Sequence, residues 1–371
     1  MAHVVPRDEQ PWSGVLTVIV NLTASLAERG HHVEVWQLHE WSPTAYAEQR
    51  GRLEAAGVVE VRVRERPGKA AALAQERGMH VVHLHGAFNT TNTAISRRLR
   101  LPYVFSPHSG YDPVSLRRSR IRKLLYRALF ERSMLERASL LVALTDAELD
   151  DLRRFGASGP AEVIPNGVAR PPADLDRDAL RRELAIPADR MLAVFVGRLD
   201  VQRKGLDVLV RGIAATPKWH LALIGPPFRD VDRLDRLVAD LGIADRIHLV
   251  GERHGRDLQA GVASADVFTM LSRWEGLPMA LLEALSLSVP AVVSPPVERA
   301  VGVEAAGAGW AVDEDGLGPL LVHLRESDGS EVTLRGDAAT RLARRYSWQD
   351  VAERYEDAYG RVLGLERRIS S

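Results

Sequence analysis

A phosphate-sized anion site is the strongest chemical signal in the sequence. Residues 273–283 read Arg-Trp-Glu-Gly-Leu-Pro-Met-Ala-Leu-Leu-Glu and directly follow an apolar run typical of a β-strand. Gly276 permits a tight turn, and Pro278 suits the first position of a helix, where no backbone N–H is needed. The N–H groups of Met279 and Ala280 would lack helical partners and lie at the positive end of the helix dipole. We therefore expect an anion to bind at this helix N-terminus.

A carboxylate stands on either side of the expected anion. Glu275 lies in the loop before the helix, and Glu283 lies about one and a half turns along it. Each carboxylate offers two acceptor oxygens, which suits the hydroxyls of a sugar or a ribose. On spacing alone, an ordinary strand–loop–helix junction with two solvated glutamates is an equally good interpretation.

A second group of charged residues follows the apolar run 192–196. Gly197 stands at the end of that predicted strand, and Arg198 and Lys204 come after it. Arg198 can bind two oxygens in a fork, and Lys204 supplies a mobile point charge. Two such cations could stabilise the charge on a leaving nucleoside diphosphate without Mg²⁺. A basic surface turn is the common alternative.

Short apolar runs that alternate with amphipathic stretches must position these residues. This alternation predicts βαβ units, with parallel sheets that are covered by helices on both faces. The predicted strands are 3–6, 32–37, 81–85, 103–106, 140–144, 162–165, 192–196, 220–224, 247–250, 267–271 and 291–294. The predicted helices are 15–29, 91–99, 121–137, 206–214, 231–241, 279–286 and 348–363.

The alternation pauses at residues 166–187, which hold Asn-Gly, Pro-Pro and many charges, a composition typical of a linker. The chain has 371 residues, which suits two domains of ~100–200 residues each. We therefore predict doubly wound α/β domains at 1–170 and 171–345, followed by a segment, 346–371, that contains the last helix. Ligands are expected at the carboxyl ends of the strands, in a crevice between the domains.

The composition excludes several classes of protein. Forty-nine basic residues balance 49 acidic ones, so no global charge attracts nucleic acid or a membrane. The absence of cysteine excludes disulfides and thiolate metal sites, as suits a reducing cytoplasm. The N-terminal residues do not resemble a signal peptide, and no apolar run reaches the ~18 residues of a transmembrane helix.

The motifs described above resemble those of retaining glycosyltransferase family 4, whose members are two-domain, metal-independent enzymes of the GT-B fold. Glu275-Gly276-Leu277-Pro278 and Glu283-Ala284 match its paired-glutamate motif, and Gly197-Arg198-Leu199 with Lys204-Gly205 matches its phosphate-binding motif. The terminal 346–348, Tyr-Ser-Trp, resembles the start of its last helix, which packs back on the first domain. The resemblance spans nearly the whole chain.

The resemblance implies a role for each matching residue. Glu275 would hold hydroxyls of the donor sugar, Glu283 the ribose, and Arg198 and Lys204 the diphosphate. His108, in Pro-His-Ser-Gly at 107–110, would reach the donor sugar and phosphates as the histidine of the family does, although Ser109 here separates it from the glycine. The predicted catalytic residues are His108, Glu275, Arg198 and Lys204. The predicted donor-binding residues are Gly14, Gly197, Arg198, Lys204, Gly276, Leu277, Pro278, Met279, Ala280 and Glu283.

Three features leave alternatives open. His83 and His85 share one face of a predicted strand, which suits hydrogen-bonded histidines better than a metal pair, since no third histidine or carboxylate stands at a telling spacing. The basic stretch Arg117–Arg132 is either a solvated helix face or a weak contact with an anionic acceptor or the inner membrane surface. The family's Gly-Gly loop is replaced here by Ser-Pro-Pro-Val-Glu at 294–298, which leaves the role of Glu298 open.

The resulting interpretation is a cytoplasmic hexosyltransferase. It would move a sugar from a UDP- or GDP-sugar to a hydroxyl of a glycan, lipid or small molecule, with retention and with no cofactor or metal. The reaction would serve the synthesis of a glycan, a glycolipid or a natural-product glycoside. Two alternatives are a nucleotide-sugar-binding protein without transferase activity and a sugar-nucleotide epimerase of the same fold. The base, the sugar, the acceptor and the oligomeric state have no readable signal.

Overall fold

The chain folds into two compact units of similar size. The computed structural model describes residues 1–5, 14–38, 46–63, 67–111, 126, 130–228, 230–327 and 329–365. The first unit is Met1–Gly167 together with Trp348–Ser371, and the second is Val168–Ser347.

The first unit contains a seven-stranded parallel sheet of order β3-β2-β1-β4-β5-β6-β7. Its strands are β1 Ala2–Val5, β2 Glu34–Gln37, β3 Val59–Arg62, β4 Val82–His85, β5 Tyr103–Ser106, β6 Leu140–Ala143 and β7 Ala161–Val163. Its helices before the second unit are α1 Gly14–Glu28, α2 Ala47–Ala55, α3 Pro67–Glu76, α4 Thr90–Ser96, α5 Arg132–Arg137 and α6 Asp146–Arg154. The strand order reverses between β1 and β4, which makes their carboxyl ends a topological switch point.

The second unit contains a six-stranded parallel sheet of order β10-β9-β8-β11-β12-β13. Its strands are β8 Met191–Val196, β9 Trp219–Ile224, β10 Ile247–Gly251, β11 Val267–Met270, β12 Ala291–Val293 and β13 Gly309–Ala311. Its helices are α7 Ala179–Glu183, α8 Val201–Lys204, α9 Leu206–Ala214, α10 Val231–Asp240, α11 Gly255–Ala263, α12 Met279–Ser286, α13 Pro295–Val301, α14 Leu317–Glu326 and α15 Ser330–Arg344. Here the order reverses between β8 and β11.

The last helix, α16 Trp348–Val362, belongs to the first unit. The indole of Trp348 packs so closely on Gly167 that a Cβ there would lie 2.4 Å from the ring. Glu356 of α16 is paired with Arg29, which follows α1. The packing of this helix on the N-terminal part of the chain agrees with the expectation from the resemblance.

The predicted fold class, two Rossmann-like α/β domains, is confirmed. Every predicted strand is present, with ends that differ by one or two residues among the described positions. Two strands, β3 and β13, were missed. β3 is an exposed or half-exposed edge strand, and β13 is an edge strand of three residues, Gly-Trp-Ala. Neither carries the run of buried apolar residues that marks a central parallel strand.

Candidate active site

The switch point of the second sheet brings together the two charged segments that the sequence singled out. The segment after β8 carries Arg203 and Lys204, and the segment after β11 carries Glu275. Because β8 and β11 are neighbours, both segments leave the same edge of the sheet. The backbone N–H of Arg273 donates to the carbonyl of Arg203 at 2.9 Å, so the two segments are joined directly.

Lys204 and Glu275 form a largely buried ion pair. The ammonium of Lys204 donates to Oε1 of Glu275, and Nη2 of Arg203 lies 3.8 Å from Oε2. The side chain of Glu275 is only 8% exposed. Burial by itself raises the pKa of Glu275, but the charges of Lys204 and Arg203 outweigh it, and the net pKa lies below the usual value. Glu275 is therefore a carboxylate at neutral pH.

Local sequence features fix the position of Lys204. The side chain of Asp200 accepts the N–H of Arg203 at 3.1 Å and caps the short helix α8. Gly205 ends that helix with φ +65°, and a Cβ there would lie 2.2 Å from the carbonyl oxygen of Leu271. Glycine is required at this position because of both the positive φ and the close approach to the β11 segment.

The helix of the paired-glutamate motif, α12, begins at Met279 and ends at Ser286 as predicted. Pro278, whose residue type suits the first helical position, is the N-cap residue instead. Pro278 precedes the helix with ψ 112°, an extended value that no helical residue adopts. The N–H groups of Met279 and Ala280 are therefore the first two of the helix, as the anion site requires.

Glu283 differs from Glu275 in its electrostatic surroundings. Burial raises the pKa of Glu283 to about 7, and among the described residues no hydrogen bond to its carboxylate is found. Desolvation without a partner makes the ionised form costly. Groups that donate hydrogen bonds to this carboxylate, such as ligand hydroxyls, would lower that cost.

Arg198 does not join the Lys204–Glu275 pair. Its guanidinium carbon lies 4.9 Å from the centroid of the Phe228 ring, a cation–π contact on the surface. Gly197 and Gly225, at the ends of β8 and β9, approach so closely that a Cβ on Gly225 would lie 2.1 Å from the carbonyl oxygen of Gly197. The two glycines therefore bring the loops of Arg198 and Phe228 side by side.

Histidines cluster at the switch point of the first unit. His3 on β1 and His83 on β4 are partners in the parallel register, and His85 lies on the same face as His83. All three side chains are buried. No third histidine stands at a telling spacing from His83 and His85 in the sequence, but strand pairing places His3 beside them although it lies 80 positions before His83.

This cluster is a hydrogen-bonded network. His83 is bonded through Nδ1 to the hydroxyl of Tyr359 at 2.7 Å and through Nε2 to that of Ser106 at 2.8 Å. The rings of His83 and His85 are stacked, with centroids 4.0 Å apart. Nitrogens of His3, His83 and His85 lie within 4.8 Å of one another, but both ring nitrogens of His83 are bonded to hydroxyls and Nδ1 of His3 faces Nε2 of His85. Hydrogen-bonded histidines, the favoured interpretation of the sequence, describe the cluster.

His108 lies on a strained turn after β5. It and Ser109 have φ values of +52° and +61°, in the left-handed region that is costly for residues other than glycine. The N–H of Ser109 donates to Oε1 of Glu148, whose Oε2 accepts the N–H of Leu144 at 2.7 Å. The buried carboxylate of Glu148 thus ties the turn to the end of β6. Sequence analysis missed this residue, although Thr-Asp-Ala-Glu at 145–148 has the spacing of a capping box.

Three predictions concern other parts of the chain. Gly14 is the first residue of α1, and residues 11–13 before it lie outside the described residues. Of the basic stretch Arg117–Arg132, residues 117–125 and 127–129 also lie outside them, so the expected acceptor or membrane contact stays a prediction. In the described part of the chain, no helix is long and apolar enough to cross a bilayer.

Glu298, whose role was open, lies on helix α13 rather than in a loop. Its carboxylate accepts the N–H groups of Glu304 and Ala305, at 2.9 and 3.2 Å. These two hydrogen bonds stabilise the chain that follows the helix.

Comparison with known proteins identifies the class of enzyme. The chain matches the models described as Glycosyltransferase Family 4 over residues 12–170 and Glycosyl transferases group 1 over residues 176–315. It is 26% identical over 385 residues to a GDP-mannose:cellobiosyl-diphosphopolyprenol alpha-mannosyltransferase of Xanthomonas campestris, covering 99% of this chain and 98% of that protein. It is 29% identical to a D-inositol 3-phosphate glycosyltransferase of Actinosynnema mirum, over 84% of this chain and 77% of that protein.

The fold comparison agrees. HepE of Anabaena, solved in complex with UDP-glucose, superposes with a TM-score of 0.78 at 17% identity, over 97% of this chain and 99% of that one. The fold and these matches define a nucleotide-sugar-dependent glycosyltransferase with two Rossmann-like domains. The chain belongs to glycosyltransferase family 4.

Proposed function

We propose that this enzyme transfers a hexose from a UDP- or GDP-sugar with retention of configuration, and that the Lys204–Glu275 pair forms the centre of its donor site. The supporting observation is the placement of this buried pair at the switch point between β8 and β11. In the donor complex, Glu275 accepts hydroxyls of the sugar. Lys204 and Arg198 bind the diphosphate, and the N-terminus of α12 contributes its free N–H groups.

The proposed reaction breaks the bond between the sugar C1 and the β-phosphate oxygen. The acceptor oxygen forms the new bond to C1 on the same face, and its proton passes to the departing phosphate oxygen. Negative charge grows on the β-phosphate as the bond breaks, and the two cations and the helix N-terminus stabilise it. We propose no metal cofactor, because Lys204 and Arg198 would supply the positive charge that the leaving diphosphate needs.

The acceptor is proposed from the relatives. One is named for a cellobiosyl-diphosphopolyprenol acceptor and the other for inositol 3-phosphate, and both of these acceptors carry phosphate. We infer a phosphorylated glycan, lipid or polyol as the acceptor. A lipid-linked acceptor would suit a cytoplasmic enzyme with a peripheral membrane contact through Arg117–Arg132.

The function is tested by supplying UDP- and GDP-linked glucose and mannose and measuring release of the nucleoside diphosphate. We expect one donor to be consumed, slowly with water and faster with an acceptor, at a rate that EDTA leaves unchanged. The anomeric configuration of the product, read by NMR, should match that of the donor. Binding without any turnover would favour a non-catalytic binding protein, and a new sugar nucleotide as product would favour an epimerase.

Glu283 predicts a pH dependence of donor binding. Ribose hydroxyls that donate to its carboxylate favour the ionised form, so binding lowers the pKa from about 7 and releases a proton. Affinity should therefore rise with pH, by about tenfold between pH 6 and 8 if the bound pKa falls below 5. Calorimetry with the nucleotide sugar measures this, and Glu283→Gln, which cannot ionise, should bind with a flatter profile. Equal profiles for both proteins would remove Glu283 from the site.

A further inference from the structure

The buried histidines of the first unit form a chain that ends at His108. Nδ1 of His3 lies 3.2 Å from Nε2 of His85, and Nδ1 of His85 lies 2.9 Å from Nε2 of His108. Nε2 of His3 is buried and has no partner among the residues that the structure describes. This chain of histidines therefore ends on one side at a buried nitrogen of His3 and on the other side at the half-buried His108.

All three imidazoles are neutral at physiological pH. Burial, and after it the neighbouring imidazoles, lower the pKa of His3 and His85 well below the usual value. Burial lowers the pKa of His108 to about 4. A neutral imidazole has one N–H and one lone pair, so each nitrogen–nitrogen contact needs a donor on one ring and an acceptor on the other.

This requirement couples the three tautomers. If Nε2 of His108 accepts, His85 must donate from Nδ1 and accept at Nε2, and His3 must then donate from Nδ1. The alternative reverses every bond and places every proton on Nε2. A mixed arrangement would set two N–H groups or two lone pairs against each other, at the cost of a buried hydrogen bond.

The two arrangements differ at their ends. In the first, His108 presents an N–H at Nδ1, and the unpaired group at His3 is a lone pair. In the second, His108 presents a lone pair, and an N–H of His3 is buried without an acceptor. Among backbone groups a buried N–H is left unpaired less often than a buried acceptor, and we apply the same preference to the imidazole. Phosphate oxygens that carry charge only accept hydrogen bonds, so only the first arrangement lets His108 bind them.

We propose that His3 and His85 are positioning residues that hold His108 in the tautomer with its proton on Nδ1, so that His108 donates to an oxygen of the substrate. The inference rests on the proposed function for its ligand. The tautomer itself is a property of the enzyme without substrate, and it is measured without turnover.

Nitrogen NMR of the full-length enzyme labelled with ¹⁵N-histidine tests the proposal, because protonated and bare ring nitrogens differ widely in chemical shift. Signals of His108 are assigned by their loss in His108→Gln. We expect protonated Nδ1 and bare Nε2 in both His85 and His108. Protonated Nε2 in His108 of the wild-type enzyme would overturn the proposal, and this spectrum decides even if variants fold poorly.

Matched variants separate positioning from packing. His85→Leu and His3→Leu, made separately, each interrupt the hydrogen bonds between the histidines and should leave His108 as a mixture of tautomers. His85→Asn and His3→Asn keep an N–H near the place of Nδ1 and should keep the wild-type tautomer. His83→Leu removes an equally buried imidazole that is hydrogen-bonded to Ser106 and Tyr359 and not to the other histidines. The tautomer of His108 should therefore not change. An unchanged tautomer in both leucine variants of the chain would also overturn the proposal.

Kinetics connects the tautomer to the substrate. We expect the leucine variants of His3 and His85 to raise KM for the nucleotide sugar several-fold, and the asparagine variants to restore it. An enzyme with the expected tautomer but without transferase activity would contradict the proposed function alone. An active enzyme with its proton on Nε2 would contradict the positioning role alone.

Discussion

Replacing Lys204 with methionine is expected to lower kcat of sugar transfer by about 10²–10³-fold, the usual cost of removing one group that stabilises developing negative charge. Methionine keeps most of the length and the apolar stem of lysine while removing its charge. In the free enzyme the change also leaves the buried Glu275 with Arg203, 3.8 Å away, as the one cation paired with it among the described residues. The rate is measured as release of nucleoside diphosphate under saturating donor.

The control for this prediction is Lys218→Met. Lys218 is an exposed lysine, 4.0 Å from the exposed Asp189, and its removal should change the rate less than twofold, since exposed pairs contribute little. Lys204→Arg keeps the charge and should retain more activity than the methionine variant. If Lys204→Met kept more than a tenth of the wild-type kcat with normal thermal unfolding, Lys204 would not be the cation that stabilises the leaving diphosphate.

Replacing Gly205 with alanine is expected to destabilise the second unit by about 2–5 kcal/mol. About 1–2 kcal/mol comes from placing a residue with a Cβ at φ +65°. A further ~1–3 kcal/mol comes from overpacking, because the new Cβ would lie 2.2 Å from the backbone oxygen of Leu271 and the two segments must separate. Urea denaturation gives the free energy of unfolding. Transfer activity should fall as well, because the separated segments carry Lys204 and Glu275.

Gly242 provides a matched control for the clash. It has nearly the same φ, +64°, but a Cβ there would have no atom within 4 Å. Gly242→Ala should therefore cost only the ~1–2 kcal/mol of the left-handed backbone and leave activity intact. Equal destabilisation by the two alanine variants would show that the approach of Leu271 to Gly205 is not tight in solution.

The sequence by itself predicted the local elements and the two charged segments of the proposed donor site. Helix α12 begins and ends where its pattern predicts, because Pro278 and the apolar spacing of the following residues act within a few positions of each other. The same holds for the alternation of strands and helices, which predicts parallel sheets without any knowledge of strand order. Edge strands such as β3 carry too little buried surface to produce that pattern.

Tertiary structure alone decided which residues meet. Lys204 and Glu275 are 71 positions apart, and they pair because β11 lies beside β8 in the sheet. His3 joins the other histidines because β1 and β4 pair in a register that sets it opposite His83. Strand order and register depend on the packing of whole sheets, which no short stretch of sequence encodes. The helix N-terminus that we propose to bind an anion could therefore be predicted from local pattern, whereas the Lys204–Glu275 ion pair and the histidine chain became visible only in the folded protein.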